Sequence, residues 1–110
     1  MPMEYSMNAS ISVPSKPIKD FCRKWKIIEL SLFGSVLRDD FRPDSDVDVL
    51  VSFAPEADWG LLDHETMEDE LSAILGRDVD LVTRRAVERS TNRLRRDSIL
   101  KAAEAIYAAG

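Results

Sequence analysis

The chain has 110 residues, of which 45% are hydrophobic and 32% charged, and this size and composition suit one compact domain. The formal net charge is -5, which excludes broad electrostatic capture of nucleic acid and leaves direct nucleic-acid binding open only as a local contact. One cysteine, no apolar run of membrane length and no export-signal pattern indicate a reducing cytoplasm and no membrane association.

The charge is divided into two blocks. Residues 39–80 hold 14 of the 20 acidic side chains, whereas residues 81–101 are basic. The basic block includes four arginines at spacings of four, four and three, which a continuous helix would place along one face: Arg85, Arg89, Arg93 and Arg96. We expect this row to contact an acidic partner surface or RNA phosphates, unless a break near Asn92 splits it.

The first half of the chain predicts a leader, a helix and a strand. Residues 1–14 have no hydrophobic period and are predicted to be a disordered leader, followed by a single domain over residues 15–110. A short helix begins near Ser15. The β-rich run from Ile27 to Phe33 predicts a strand, and one or two helical turns can follow over residues 35–40.

The second half alternates strands with helices. We predict strands over 46–53 and 78–82, and helices over 61–75, 84–91 and 97–108. The resulting fold class is α/β (α+β), with a small, twisted, mixed sheet of three or four strands and helices mainly on one face.

Candidate functional residues gather at two strand boundaries. Gly34 and Ser35 end the first strand, where a residue without a Cβ and a hydroxyl next to it can hold a phosphate. Asp46 and Asp48 lie two residues apart, so a strand projects both carboxylates from one face with Cα atoms about 6.6 Å apart. Asp80 repeats the pattern on the third strand. Carboxylates beside a phosphate are typical of a Mg²⁺ site.

Other sites are excluded by spacing. A calcium loop starting at Asp44 would place Val49 where glycine is needed and Pro55 where glutamate is needed. The sequence contains no Walker A motif and no Cys/His pattern for zinc. His64, the single histidine, is interpreted as a surface residue.

A family resemblance follows from one continuous stretch, LFGSVLRDDFRPDSDVDVLV. Its Gly-Ser, ten-residue spacer and Asp-x-Asp resemble the core motif of the DNA polymerase β-like nucleotidyltransferase superfamily, which has a third acid on a later strand. From about Ser15 onward the chain is similar to minimal nucleotidyltransferases of the MntA antitoxin type.

The resemblance implies a set of site residues. Asp46, Asp48 and Asp80 would be the catalytic residues and the ligands of two Mg²⁺ ions. The nucleotide-binding residues would be Gly34, Ser35, Arg38 and Ser45. Leu37 and Asp39 depart from the Ala-Arg-Gly that members often have around this arginine.

The resemblance also implies an activity and a partner. The activity would be transfer of AMP from ATP to a hydroxyl, a tyrosine of a HEPN-family ribonuclease toxin, with the chain acting as antitoxin. Two alternatives stay open from the residues themselves. One is a non-catalytic module that neutralises its partner by contact, and the other is a transferase acting on a small molecule or an RNA end.

Overall fold

The computed structural model describes residues 13–34 and 46–109. Its helices and strands, in chain order, are α1 (Ser15–Lys24), β1 (Ile27–Phe33), β2 (Val47–Phe53), α2 (Leu61–Leu75), β3 (Val79–Thr83), α3 (Arg84–Glu88), α4 (Arg93–Ala102) and β4 (Glu104–Ala108). None of the helices in these ranges is long and apolar enough to cross a lipid bilayer. The helical turns predicted over residues 35–40 lie outside the described residues.

The four strands form one mixed sheet in the order β3-β2-β1-β4. The central strand β1 runs antiparallel to both β2 and β4, whereas β2 and β3 are parallel. Parallel neighbours need a crossover connection, and α2 supplies it between β2 and β3. The predicted α+β class and mixed sheet are therefore confirmed.

The main core lies between one face of the sheet and helices α1 and α2. Alternate residues of β2 point into it, and each of these two helices adds a buried apolar stripe, with the buried members Val47, Val49, Val51, Ile18, Phe21, Cys22, Met67, Leu71 and Leu75. Val13, two residues before the predicted domain start, is fully buried in the same core. Cys22 is fully buried in this core, and burial raises the pKa of its thiol to about 12.

A smaller apolar cluster occupies the opposite face of the sheet. Phe33 of β1, Leu50 of β2 and Val87 of α3 are its buried members. Partly buried side chains of α4, Ile99 and Leu100, pack against it. The helices over the main core thus share one face, and the short α3 with the exposed α4 contacts the other.

The predicted C-terminal helix over residues 97–108 is wrong at its end. The helix α4 spans Arg93–Ala102, Ala103 has extended backbone, and Glu104–Ala108 form β4. Ile99 packs on the smaller cluster, whereas Ile106 is buried in the main core on the opposite face. One straight helix cannot reach both faces of a sheet, which explains the change to a strand.

The predicted helix over residues 84–91 is shorter in the structure, and the row of arginines is split. The helix α3 ends at Glu88, and α4 begins at Arg93. Asn92 is the N-cap of α4, and its side chain accepts a hydrogen bond of 3.1 Å from the Arg95 backbone N–H. Arg85 and Arg93 therefore stand on different helices, and the continuous face expected of them does not form.

Two tryptophans tie α1 to α2 and to the loop before it. Trp25 Nε1 donates to Glu70 Oε1 at 2.9 Å, and Lys24 Nζ donates to Glu70 Oε2 at 2.6 Å. Trp59 Nε1 donates to the Trp25 carbonyl at 2.8 Å, and the two rings meet edge to face with centroids 5.2 Å apart. Both tryptophans therefore pack at the border of the main core. The hydrogen bonds from Lys24 and Trp25 lower the pKa of Glu70 from its ordinary value.

Candidate active site

Gly34 ends β1 beside the first strand carboxylate. Its φ of 78° lies in the left-handed region, where a Cβ is unfavourable. Phe33 pairs with Asp48 in the antiparallel register of β1 and β2. A Cβ built on Gly34 would overlap the Asp48 Oδ2 atom. Glycine is thus required here twice, by backbone conformation and by the carboxylate that lies against it.

Asp48 and Asp80 face each other across neighbouring strands. The parallel register of β2 and β3 pairs Asp48 with Asp80, and adjacent strands lie about 4.8 Å apart. Both side chains project from the sheet face that carries Leu50 and Val82. Asp48 is half-buried and Asp80 is exposed. The register thus brings these two carboxylates together on one face of the sheet.

Asp46 lies immediately before β2 and is exposed. The next residue anchors this end of the strand, because the Val47 backbone N–H donates to the Asp78 carbonyl at 2.8 Å. Within residues 13–34 and 46–109, no three His, Cys, Asp or Glu side chains converge closely enough to hold a metal ion by themselves. The structure therefore brings two of the predicted carboxylates into register, with Asp46 at the margin.

The oxygen ligands that Asp48 and Asp80 offer beside Gly34 fit Mg²⁺. This ion binds carboxylate oxygen and is usually held by one or two carboxylates together with substrate phosphates and water. Asp48 and Asp80 supply two such groups, and Gly34, which has no side chain, leaves room for the Asp48 carboxylate beside it. A complete protein cage is not required, since the remaining ligands can come from the nucleotide.

Three predicted nucleotide contacts, Ser35, Arg38 and Ser45, lie outside the described residues. The described residues place the chain immediately before and after them at the same end of the sheet, because Gly34 closes β1 where Asp46 leads into β2. Gly34 and Asp46, the described residues on either side of this segment, therefore both lie close to Asp48 along the chain or across the strands.

The sequence did not predict the contact that His64 makes with β3. Interpreted as a surface residue, it lies with Nε2 2.8 Å from the Leu81 carbonyl oxygen of β3 and with a side chain only 29% exposed. Its partner is a main-chain oxygen, and a motif made of side chains cannot predict a contact with the main chain. The available signal was its position on α2, three residues before the buried Met67 and thus beside the buried stripe.

Comparison with known proteins places this geometry in a family. The family described as nucleotidyltransferase domain matches residues 15–106. The protein adenylyltransferase MntA of Thermococcus cleftensis is 37% identical over 70 residues, an alignment that covers 64% of this chain and 69% of the relative.

Solved structures give the same result for the fold. A minimal nucleotidyltransferase superposes with a TM-score of 0.62 at 33% identity and covers 82% of this chain and 86% of its own. A chain from the complex of tri-AMPylated HEPN toxin with MNT antitoxin, from Shewanella oneidensis, superposes with a TM-score of 0.57 at 20% identity, covering 86% of this chain and 70% of its own. The second similarity is evidence for the fold alone.

Proposed function

Because the chain belongs to the nucleotidyltransferase domain family, we propose that it transfers AMP from ATP to a hydroxyl of a partner protein. The partner is a HEPN-family ribonuclease toxin, the hydroxyl is that of a tyrosine, and the modification makes this chain an antitoxin of the cytoplasm. The observation that carries the proposal is the register of Asp48 with Asp80 beside Gly34.

The relatives support both the reaction and the partner. The related MntA is a protein adenylyltransferase, and the Shewanella structure pairs an MNT antitoxin with an AMPylated HEPN toxin. A partner that brings its own acceptor hydroxyl completes the site.

The chain's own residues have separate tasks in this reaction. The backbone at Gly34, with Ser35, Arg38 and Ser45, holds the triphosphate, while Asp46, Asp48 and Asp80 are the residues that would hold Mg²⁺. When bound, Mg²⁺ neutralises charge on the triphosphate. Asp80 accepts the proton of the attacking hydroxyl.

The bonds exchanged in the transfer are these. The acceptor oxygen forms a bond to the α-phosphorus of ATP, and the bond from that phosphorus to the bridging oxygen of the β-phosphate breaks. Pyrophosphate leaves, and the proton of the hydroxyl goes to the Asp80 carboxylate. The exposed position of Asp80 leaves its carboxylate accessible to an acceptor on a second protein.

The test is incubation of the purified chain with α-labelled ATP, Mg²⁺ and a purified HEPN partner, followed by mass spectrometry of the labelled protein. We expect AMP on a tyrosine of the partner and none without Mg²⁺. Neutralisation of the partner with no ATP consumed would favour a non-catalytic module. If RNA or a small molecule from a lysate became labelled instead, the proposed acceptor would be wrong, whereas the proposed AMP transfer would still hold.

A further inference from the structure

The strand that carries Asp80 lies at an edge of the sheet. In a parallel ladder, alternate residues direct their backbone groups to opposite sides. The Asp78 carbonyl accepts from Val47 on the β2 side, so Val79 and Leu81 direct their N–H and C=O groups away from β2. An edge of this kind needs other partners or is open to another strand.

Side chains of α2 fill these positions. Val79 N–H donates to Ser72 Oγ at 3.0 Å, and Leu81 N–H donates to Glu68 Oε2 at 2.8 Å. His64 Nε2 lies 2.8 Å from the Leu81 carbonyl oxygen, which accepts its N–H. The three side chains recur every four residues and so share one helix face. We call them the α2 clamp: His64, Glu68 and Ser72.

The clamp is built into a fixed helix. On α2, the neighbouring stripe of Met67, Leu71 and Leu75 is buried in the main core. Within the clamp, His64 Nε2 also lies 3.7 Å from Glu68 Oε2. The packing of α2 on the core therefore places the clamp side chains against β3.

Asp80 lies between the two clamped residues. The main chain of Asp80 pairs with β2 on one side. On the other side, the N–H of the next residue, Leu81, donates a hydrogen bond to Glu68. Within the described residues, no hydrogen bond holds the Asp80 carboxylate itself. The direction of that carboxylate therefore depends on the main chain of β3.

We propose that His64, Glu68 and Ser72 are positioning residues, which fix β3 from its outer edge so that Asp80 stays opposite Asp48. The inference rests on the proposed function for the role of Asp80. The clamp acts through the main chain and does not touch nucleotide or acceptor. Misplacing a reacting group by about 1 Å can reduce a rate by about 100-fold.

The kinetic test compares three variants of one helix. Glu68→Ala removes the acceptor of the Leu81 N–H, and Glu68→Gln keeps an oxygen there. Glu65→Ala removes an exposed carboxylate of the same helix that is not part of the clamp. With the HEPN partner, Mg²⁺ and ATP, we expect Glu68→Ala to lower kcat at least tenfold with KM for ATP unchanged. Glu68→Gln should restore most of the rate, and Glu65→Ala should match the natural sequence.

A second measurement separates the clamp from the reaction. Amide hydrogen exchange at Val79 and Leu81, and the carboxyl ¹³C NMR signal of Asp80, need no activity. We expect Glu68→Ala to accelerate exchange at Leu81 and to shift or broaden the Asp80 signal, with no change in Glu65→Ala. If the natural sequence transfers no AMP, the proposed function fails, and these two signals still decide whether the clamp positions Asp80.

Two results would overturn the inference. One is an unchanged kcat and an unchanged Asp80 signal in Glu68→Ala despite faster exchange at Leu81, because the clamp would then only cover a sheet edge. The other is a loss of kcat that Glu68→Gln does not restore. Glutamine keeps the hydrogen-bond acceptor and removes only the charge, so the loss would then come from the charge of Glu68 and not from its bond to β3.

Discussion

Gly34 and Asp48 are in contact across the β1–β2 pair, and no side chain can be added at position 34 without moving the carboxylate. We expect Gly34→Ala to abolish AMP transfer, because the displaced Asp48 no longer faces Asp80. Its cost in stability has two parts, about 1–2 kcal/mol for the left-handed backbone and a further ~1–3 kcal/mol for the overlap.

Gly76 provides a matched control for this change. It has a φ of 70°, close to that of Gly34, but a Cβ there would meet nothing within 4 Å. Gly76→Ala should therefore show the backbone cost alone, with transfer retained. Urea unfolding and transfer assays on both variants measure the two parts, and equal loss of stability and activity in the two would refute the contact argument.

The carboxylates are expected to serve the reaction and not the fold. Asp46→Asn combined with Asp48→Asn should abolish transfer and leave a cooperative thermal transition, since Asp48 lies opposite the like charge of Asp80 and Asp46 is exposed. Asp69→Asn, which neutralises an exposed carboxylate of α2, should transfer AMP normally. Full activity in the double variant would exclude these residues as metal ligands.

Nucleotide binding should depend on divalent ions. A ligand that binds only the folded state raises its stability by about 2.7 kcal/mol at a hundredfold excess over the dissociation constant. Mg²⁺ with ATP should therefore raise Tm, and EDTA should remove the increase. Equal stabilisation by ATP with and without Mg²⁺ would mean that the carboxylates do not share a metal with the nucleotide.

The ion pair between α1 and α2 predicts a dependence of stability on pH. Because Lys24 and Trp25 lower the pKa of Glu70 from 4.5, the unfolded chain takes up the proton first on acidification. The stabilisation by Glu70 is present above pH 4.5 and is lost as the pH falls through the folded-state pKa.

Glu70→Gln tests this relationship. At pH 7 the variant should lose no more than about 1 kcal/mol, since the pair is partly exposed, and the difference from the natural sequence should vanish in strong acid. Denaturant unfolding at several pH values gives the comparison. A constant difference at all pH values would assign the effect to packing and not to ionisation.

The basic segment offers a test of partner contact. Arg89 and Arg93 are exposed on either side of the break between α3 and α4. Changing both to Glu should weaken binding to the HEPN partner and reduce its dependence on salt, because fewer charges cross the interface. Lys19→Glu with Arg23→Glu on α1 applies the same charge change elsewhere. Equal effects of the two pairs would assign the loss to net charge alone.

The parts of the fold that local patterns record were predicted correctly. Strand β2 follows from the alternation of Val47, Val49 and Val51 with other residues, and α2 follows from apolar residues at helical spacing that end at Gly76. The facing of Asp48 and Asp80 could be expected because both lie early in strands with similar patterns.

The failures involve partners that are distant in sequence. The apolar residues of Glu104–Ala108 fit helical spacing as well as a strand, and only the pairing with β1 decides between them. His64 was missed for the same reason, because its partner is a backbone carbonyl of β3. The local pattern of residues can indicate that such a side chain is partly buried, but it does not identify the partner.

The position of β4 in the sheet has a consequence for synthesis on the ribosome. Its partner β1 is the earliest strand in the described chain. The second edge of β1 can pair only after residues of β4 such as Tyr107 have been synthesised. Such a high contact order slows folding, because a long loop must close before the pairing is gained. Until the last strand emerges, the nascent chain exposes an unpaired edge of β1, and shortening the chain before Glu104 should leave that edge available for aggregation.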